Sequence, residues 1–170
     1  SFAVKPCYTR ASQKVQKITP GQPLKQQLDI DIHNPWIAQE WATGKKFCTY
    51  SICHQGKIFA HATYPVHYAI DGNSCLTFQA IEHPHIYDWI TQFVSKINFT
   101  GQIAFDFIET EDNKLFAIEC NPRATSGLLL FKDKDQIEKA FLGLNKQLIN
   151  PRIGMRRQIA MGMLLYGWRK

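Results

Sequence analysis

Several features that define other protein classes are missing from this sequence. No apolar run reaches the roughly 18 residues of a membrane-spanning helix, and no secretory signal opens the chain. The five cysteines are odd in number and never spaced as Cys-x-x-Cys, which argues against a disulfide framework or a zinc site. Internal repeats and low-complexity segments are also missing. We therefore expect a cytoplasmic protein of a reducing compartment, without a membrane partner.

The net charge of +6 is concentrated at the end of the chain. Residues 150–170 contain no acidic residue and five basic ones, namely Arg152, Arg156, Arg157, Arg169 and Lys170. The remainder is close to neutral and has no stripe of basic residues interleaved with aromatics, so nucleic-acid binding is not expected. This charge distribution remains compatible with small anionic partners. A hydrophobic content of 45% in 170 residues is sufficient for a folded core.

Residues 101–127 predict a β-hairpin followed by a polar loop. Two runs rich in β-branched and aromatic residues, Gln102–Ile108 and Lys114–Cys120, flank a polar segment. A two-residue turn at Asp112–Asn113 then sets the register of the hairpin. Three pairs of residues are predicted to face each other: Asp106 with Glu119, Ala104 with Asn121, and Ile108 with Ala117. The other face is predicted to be apolar, with Phe105, Phe107, Phe116, Ile118 and Cys120.

The predicted pair of Asp106 and Glu119 brings two negative charges close together. Opposed residues have Cβ atoms about 4.5–5.5 Å apart, and like charges at that separation are destabilising. A hard divalent cation reverses the repulsion, and the amide oxygen of Asn121 adds a third ligand of the kind that Mg²⁺ accepts. Acidic pairs also occur on solvated strand faces. Spacing alone therefore leaves a metal site and a solvated face as alternatives.

The N-terminal part of the chain predicts a small lobe, which a larger lobe of strands and helices follows. An apolar strand at Phe2–Val4 leads to Lys5, and the polar segment Tyr8–Lys17 suits either a phosphate-binding loop or an ordinary surface loop. Pro23 and the apolar residues after it predict a short helix that ends before Pro35. Four further strands are predicted at Trp36–Trp41, Phe47–Cys53, Ile58–Thr63 and Cys75–Ile81.

Apolar residues at helical spacing predict an amphipathic helix that starts at Pro84 and contains Ile97. A second helix, capped by Asp135, carries apolar residues as far as Leu144. Ile159–Trp168 suits a docking helix, with a basic interfacial helix as the alternative. The predicted regions are residues 1–41, residues 42–149, and a basic C-terminal helix or tail at 150–170. We expect a ligand in a cleft between the two lobes.

Three separated motifs occur in one order along the chain. FAVKP (2–6) places a lysine at the end of a strand, IAQEWATGKKF (37–47) is an apolar strand that ends in a glutamate, and GQIAFDFI…LFAIECNPR (101–123) is the acidic hairpin. Together, over residues 2–131, they resemble the ATP-grasp superfamily, in its branch of carboxylate–amine ligases and the carbamoyl-phosphate synthase large subunit. The resemblance implies an α+β fold of two subdomains, with antiparallel sheets and flanking helices, that hold ATP.

The resemblance also implies roles for the residues that match these motifs. Those implied to contact the phosphates are Lys5, Arg10 and Ser12, and those implied to contact the adenine are Glu40, Trp41 and Ala42. Lys46 stands where the family has a glutamate that binds the ribose hydroxyls. The implied ligands of Mg²⁺, or alternatively Mn²⁺, are Asp106, Glu119 and Asn121. Arg123 is the implied catalytic residue, which stabilises the acyl phosphate or the transferring phosphoryl group.

The implied activity is ATP-dependent carbon–nitrogen ligation. ATP activates a carboxylate as an acyl phosphate, which an amine then attacks, so the implied partners are small-molecule carboxylates and amines. Family members have a further N-terminal part before the lysine strand, so we expect this chain to be a fragment that does not turn over ATP alone.

Two departures from the family pattern support an alternative. Lys46 can only donate hydrogen bonds, and Arg10-Ala11-Ser12 stands where glycines are common. The alternative is a degenerate ATP-grasp module that binds nucleotide or a partner without catalysis. A third hypothesis is a structural α+β domain whose acidic hairpin is solvated.

Overall fold

The computed structural model describes residues 1–8, 14–23, 27–67, 69–70 and 74–159. The chain forms two compact units, Ser1–Thr43 and Gly44–Lys170. In the part that the structure describes, no helix is long and apolar enough to cross a membrane.

The first unit contains a three-stranded antiparallel sheet. Its strands are β1 (Phe2–Pro6), β2 (Gln16–Ile18) and β3 (Trp36–Glu40), in the order β2-β1-β3. The predicted strands that begin at Phe2 and Trp36 are confirmed, and β1 continues through Lys5, which lies opposite Ile37. The short strand β2 lies at the end of the predicted polar segment, where three residues pair with β1.

The predicted helix before Pro35 is wrong for the described residues 27–34, which form no helix. The apolar residues Ile30 and Ile32 are 57% and 88% exposed, and they recur at a spacing of two rather than the spacing of a helical face. Asp31 stabilises a turn instead, because its Oδ1 accepts hydrogen bonds from the backbone N–H groups of His33 (2.6 Å) and Asn34 (2.9 Å).

The second unit is built around a four-stranded antiparallel sheet of order β10-β9-β4-β5. Its elements, in chain order, are β4 (Lys45–His54), β5 (Lys57–Pro65), β6 (Ala69–Ile70), β7 (Ser74–Cys75), β8 (Thr77–Gln79), α1 (Pro84–Lys96), β9 (Gly101–Glu109), β10 (Leu115–Asn121), a 3₁₀ helix (Ser126–Leu130), α2 (Lys134–Phe141) and β11 (Arg156–Gln158). The predicted strand at 75–81 is divided between β7 and β8, which pair with different partners.

Helix α1 covers one face of this sheet, as its apolar spacing predicts. Ile86, Ile90 and Val94 are completely buried and pack against Phe105 and Phe107. The aromatic residues Trp89 and Phe93 of this helix are partly buried and pack against the same core cluster. Burial of each of the completely buried side chains contributes roughly 1.5–3 kcal/mol to stability.

The 3₁₀ helix and α2 cover the opposite face. Gly127 lies so close to the sheet that a Cβ atom on it would be 2.5 Å from the Cβ of Tyr50 and 3.0 Å from the Cε1 of Tyr64. Helix α2 is capped by Asp133, whose Oδ1 accepts from the backbone N–H of Gln136 (3.0 Å). The predicted cap, Asp135, is instead an acidic residue of the first turn, where it faces the positive end of the helix.

The predicted C-terminal helix or tail contains a strand in its described part. Strand β11 pairs with β8, and Arg157 Nε donates a hydrogen bond to the carbonyl oxygen of Leu129 (3.2 Å). Residues 160–170, and with them most of the predicted helix at 159–168, lie outside the described residues.

Candidate functional site

The β9–β10 hairpin places the predicted carboxylate pair together. Asp106 lies directly opposite Glu119, and Ala104 lies opposite Asn121, as the sequence predicts. Both acidic side chains therefore project from one face of the sheet, with Asn121 one pair further along the same face.

The hairpin reaches this register by a different route from the predicted one. Its turn is one residue longer, because Thr110 pairs with Lys114 and Asn113 adopts a left-handed backbone with φ of 59°. A bulge at Ile118 then inserts one residue into β10, between Ala117 and Glu119. The extra turn residue and the bulge offset each other, so the carboxylate pair keeps the predicted alignment.

Between the turn and the bulge, the two faces of β10 are exchanged relative to the prediction. Ile108 lies opposite Phe116, and Phe107 lies opposite Ala117. Leu115 and Ala117 therefore pack against the core that α1 covers, and the predicted position of Phe116 on that face is wrong.

Asp106 is the more enclosed of the two acidic residues. Burial is the main cause of its raised pKa. A hydrogen bond from the Cys48 thiol lowers the pKa, the negative charge of Glu119 raises it, and the guanidinium of Arg123 lowers it. A cation stabilises the charged form of a carboxylate most strongly when that carboxylate is partly buried and lies beside a second negative charge.

Arg123 is held at the end of β10 by hydrogen bonds to residues close to it in the sequence. Its Nη2 donates to Oδ1 of Asn121 (3.1 Å), its Nη1 donates to the carbonyl oxygen of Ala124 (3.2 Å), and its backbone N–H donates to the carbonyl oxygen of Asn121 (2.8 Å). The positive charge of the guanidinium lowers the pKa of Asp106.

The donor set fits a hard divalent cation. Two carboxylates and the amide oxygen of Asn121, which also accepts a hydrogen bond from Arg123 Nη2, are oxygen ligands of the kind that would hold Mg²⁺. Among the described residues, no three His, Cys, Asp or Glu side chains are grouped as a metal site, so a third protein ligand beside Asp106 and Glu119 would be an amide oxygen, such as that of Asn121.

Lys46 lies on β4, opposite Ile108 and exposed. Cys48, two residues later, lies opposite Asp106. Sequence reasoning did not identify Cys48, because its position depends on the register between β4 and β9, strands that are distant in the sequence.

The first unit carries the other described residues to which the resemblance gives a role. Lys5 is half-buried, and Glu40 is exposed at the end of β3, opposite Phe2. Because side chains alternate along a strand, Lys5 and Glu40 point to opposite faces of this sheet. Arg10 and Ser12 lie outside the described residues.

Trp41 and Lys17 form a contact that the sequence did not predict. The Nζ atom of Lys17 lies 4.9 Å from the centroid of the Trp41 ring, a cation–π arrangement. Trp41 also donates its backbone N–H to the carbonyl oxygen of Ser1 (3.1 Å), and Ala42 follows it outside the strand. The only signal for Lys17 in the sequence was its place at the end of the polar segment Tyr8–Lys17, which overlaps β2.

No protein-family model matches the sequence, and no curated protein matches it. Its structure is similar to the L-amino acid ligase of Bacillus licheniformis, with a TM-score of 0.51 and 14% identity over 75% of this chain and 33% of that one. It is also similar to N5-carboxyaminoimidazole synthase of Aspergillus clavatus, in complex with ADP and 5-aminoimidazole ribonucleotide, with a TM-score of 0.52 and 14% identity over 70% and 36%. The chain has the ATP-grasp fold.

A third ATP-grasp structure, the biotin carboxylase of Campylobacter jejuni in complex with β,γ-ATP, gives a TM-score of 0.52 at 9% identity over 72% of this chain and 30% of that one. The chain spans about a third of the length of each of these three proteins. Identities this low establish the fold alone. The predicted α+β class, with antiparallel sheets and flanking helices, is confirmed.

Proposed function

We propose that this chain is the ATP- and magnesium-binding portion of an ATP-dependent ligase. The observation that carries the proposal is the pair of Asp106 and Glu119, with Asn121 and Arg123 beside it, on one hairpin of an ATP-grasp fold. Two of the similar structures hold ADP or a form of ATP, which supports a nucleotide as the ligand.

In this proposal, Asp106, Glu119 and Asn121 hold the metal. When bound, Mg²⁺ would neutralise charge on the phosphate oxygens. Arg123 stabilises the charge on the transferring phosphoryl group or the acyl phosphate, and its hydrogen bond to Asn121 fixes its direction in advance. Preorganised charge of this kind is usually the largest single contribution to phosphoryl transfer.

The first unit supplies the remaining nucleotide contacts in this proposal. Lys5 binds the phosphates together with Arg10 and Ser12. Glu40, Trp41 and Ala42, at the end of β3, contact the adenine. The proposed regions are a part of the small lobe at 1–41, the large lobe at 42–149, and a C-terminal segment at 150–170. We place the protein in the cytoplasm.

The proposed reaction activates a carboxylate as an acyl phosphate for attack by an amine, as in the carbamoyl-phosphate synthase branch. An L-amino acid ligase among the similar structures supports an amine as the nucleophile. We propose that the 170 residues bind Mg²⁺–ATP but do not turn it over without the rest of a longer parent protein. Sustained Mg²⁺-dependent hydrolysis by this chain would contradict that part of the proposal.

Calorimetric titration of Mg²⁺–ATP into the wild-type chain and a Glu119→Gln variant tests the site. We expect binding by the wild type and affinity at least about tenfold weaker in the variant, because a charged metal ligand is lost. Glu111→Gln, in the exposed turn of the same hairpin, is the matched control and should bind like the wild type. Equal affinity of the wild type and Glu119→Gln would contradict the metal site, and no binding by the wild type would contradict the proposed function.

A second candidate function is a module that binds nucleotide without catalysis. The observation that favours it is Lys46, a donor at a position where the resemblance implies an acceptor. Restoring the rest of the parent protein separates the two candidates. A longer parent that binds Mg²⁺–ATP but forms no ADP with any carboxylate and amine would favour the binding module.

A further inference from the structure

Lys46 lies on the same face of the sheet as the carboxylate pair. From Lys45 to Cys48, strand β4 pairs continuously with β9, with Lys46 opposite Ile108 and Cys48 opposite Asp106. Since side chains alternate along a strand, Lys46 and Asp106 project from the same face. Lys45 projects from the other face, beside the residues that pack under α1.

The register brings the two side chains within reach of each other. Asp106 is the diagonal neighbour of Lys46, and such positions on adjacent strands are about 7–8 Å apart. Diagonal neighbours at that separation are within reach of long side chains such as lysine. Lys46 is exposed, so its ammonium group can meet a ligand that lies over this face.

The charges of four residues around the carboxylate pair cancel before a ligand arrives. Asp106 and Glu119 contribute two negative charges, and Lys46 and Arg123 contribute two positive ones. A magnesium ion at the carboxylates would therefore leave a net positive surface toward the phosphates. With Lys46 replaced by a neutral residue, that surplus is halved.

We propose that Lys46 is a fixed cation of the phosphate end of the nucleotide site, and that it reduces the dependence of nucleotide binding on Mg²⁺. This inference rests on the proposed function. An ammonium group offers three donors and no acceptor, which suits phosphate oxygens and does not suit the acceptance of ribose hydroxyl protons. The register therefore assigns to Lys46 a different role from the ribose contact that the motif position implies.

Adjacent lysines on opposite faces provide a matched comparison. ADP is titrated calorimetrically into the wild type, Lys46→Gln and Lys45→Gln, once with Mg²⁺ and once with EDTA. Both variants remove one positive charge from neighbouring positions of one strand, so long-range electrostatic effects on the nucleotide are nearly equal. The two positions differ in the face from which they project and in the residue opposite, which is Glu109 for Lys45 and Ile108 for Lys46.

We expect the wild type to bind ADP measurably in EDTA. Lys46→Gln should bind metal-free ADP about tenfold more weakly, and Mg²⁺–ADP only about threefold more weakly, because the metal then neutralises part of the phosphate charge. Lys45→Gln should stay within about twofold of the wild type in both titrations. Lys46→Arg, which keeps the charge, should restore most of the metal-free affinity and guards against a defect in folding.

Four results would overturn the inference. Equal losses of ADP affinity in Lys46→Gln and Lys45→Gln would show that the face from which the lysine projects is irrelevant. If Lys46→Gln lost the same affinity with and without Mg²⁺, Lys46 would not reduce the dependence of binding on the metal. No binding of metal-free ADP by a wild type that binds Mg²⁺–ADP would refute the inference and leave the proposed function standing. A wild type that binds neither form would refute both.

Discussion

Cys48 lies directly opposite Asp106 on the neighbouring strand, and its thiol donates a hydrogen bond to the Asp106 carboxylate. Glu119 flanks the same carboxylate from the other side. A thiol is a weak, uncharged donor, so it restrains the direction of the carboxylate without replacing a cation. Cys48 is therefore a positioning residue for the proposed metal ligand.

Replacing Cys48 by valine should weaken Mg²⁺–ADP binding about tenfold, because the carboxylate loses the partner that orients it. Cys48→Ser keeps a donor and should bind close to the wild type. Cys120→Val is the control, since Cys120 lies opposite Phe105 on the other face. Titration of Mg²⁺ at constant ADP measures the effect, and identical curves for Cys48→Val and the wild type would contradict this role.

Gly127 should tolerate no side chain. Gly127→Ala places a methyl group 2.5 Å from the Cβ of Tyr50, so the 3₁₀ helix has to move away from the sheet. We expect a loss of about 1–3 kcal/mol in the free energy of unfolding, together with weaker nucleotide binding through the displaced Arg123 loop. Gly154→Ala meets nothing within 4 Å but has a φ of 77°, so it should cost about 1 kcal/mol and leave binding unchanged. Urea unfolding compares the stability of Gly127→Ala and Gly154→Ala, and a nucleotide titration compares their affinities. Equal losses of nucleotide affinity in the two variants would show that the contact between Gly127 and the sheet is not the cause of the loss.

His61 should make the stability of the chain depend on pH. Both ring nitrogens are used inside the core, Nδ1 with Ser51 Oγ (2.9 Å) and Nε2 with Thr63 Oγ1 (2.8 Å). Burial lowers the pKa of His61 from 6.5 to about 4, so the folded state keeps the ring neutral. Between these two pH values the unfolded chain binds more protons, and stability falls as the pH decreases through 6.5 toward 4.

At pH 4.5 this linkage should cost about 2–3 kcal/mol relative to pH 7. His61→Gln cannot titrate and keeps a polar side chain, so its free energy of unfolding should change less over the same interval. Urea unfolding at both pH values measures the difference. A wild type and a variant with the same pH dependence would show that His61 does not titrate between its two states.

Sequence reasoning located the carboxylate pair because period-two alternation depends only on neighbouring residues. The sequence did not predict the longer turn of the hairpin or the bulge at Ile118. The extra turn residue is stabilised by Thr110, whose Oγ1 accepts from the backbone N–H of Lys114 (3.1 Å), and the bulge at Ile118 leaves no distinctive residue in the sequence. The two errors cancelled at Asp106 and Glu119 but exchanged the faces of Phe116 and Ala117.

The helix prediction at Pro84 is correct and the one before Pro35 is wrong for residues 27–34, and the difference has a physical reason. Helix α1 has apolar residues at true helical spacing and a cap at His83, whose Nδ1 accepts from the backbone N–H of Ile86 (3.4 Å), so pattern and packing agree. The segment at 27–34 has apolar residues at a spacing of two, and its Asp31 favours a turn. Contacts between distant segments, such as Cys48 with Asp106, depend on sheet order and could not be read from local pattern.

The most direct test of the account is whether Asp106 and Glu119 hold a metal ion together. Equilibrium dialysis with Mn²⁺ and ADP measures the metal retained on the protein, and we expect about one equivalent on the wild type. Asp106→Asn and Glu119→Gln should each lose most of it, while Asp112→Asn, in the exposed turn of the same hairpin, should retain it. Retention by Glu119→Gln equal to that of the wild type would contradict the metal site.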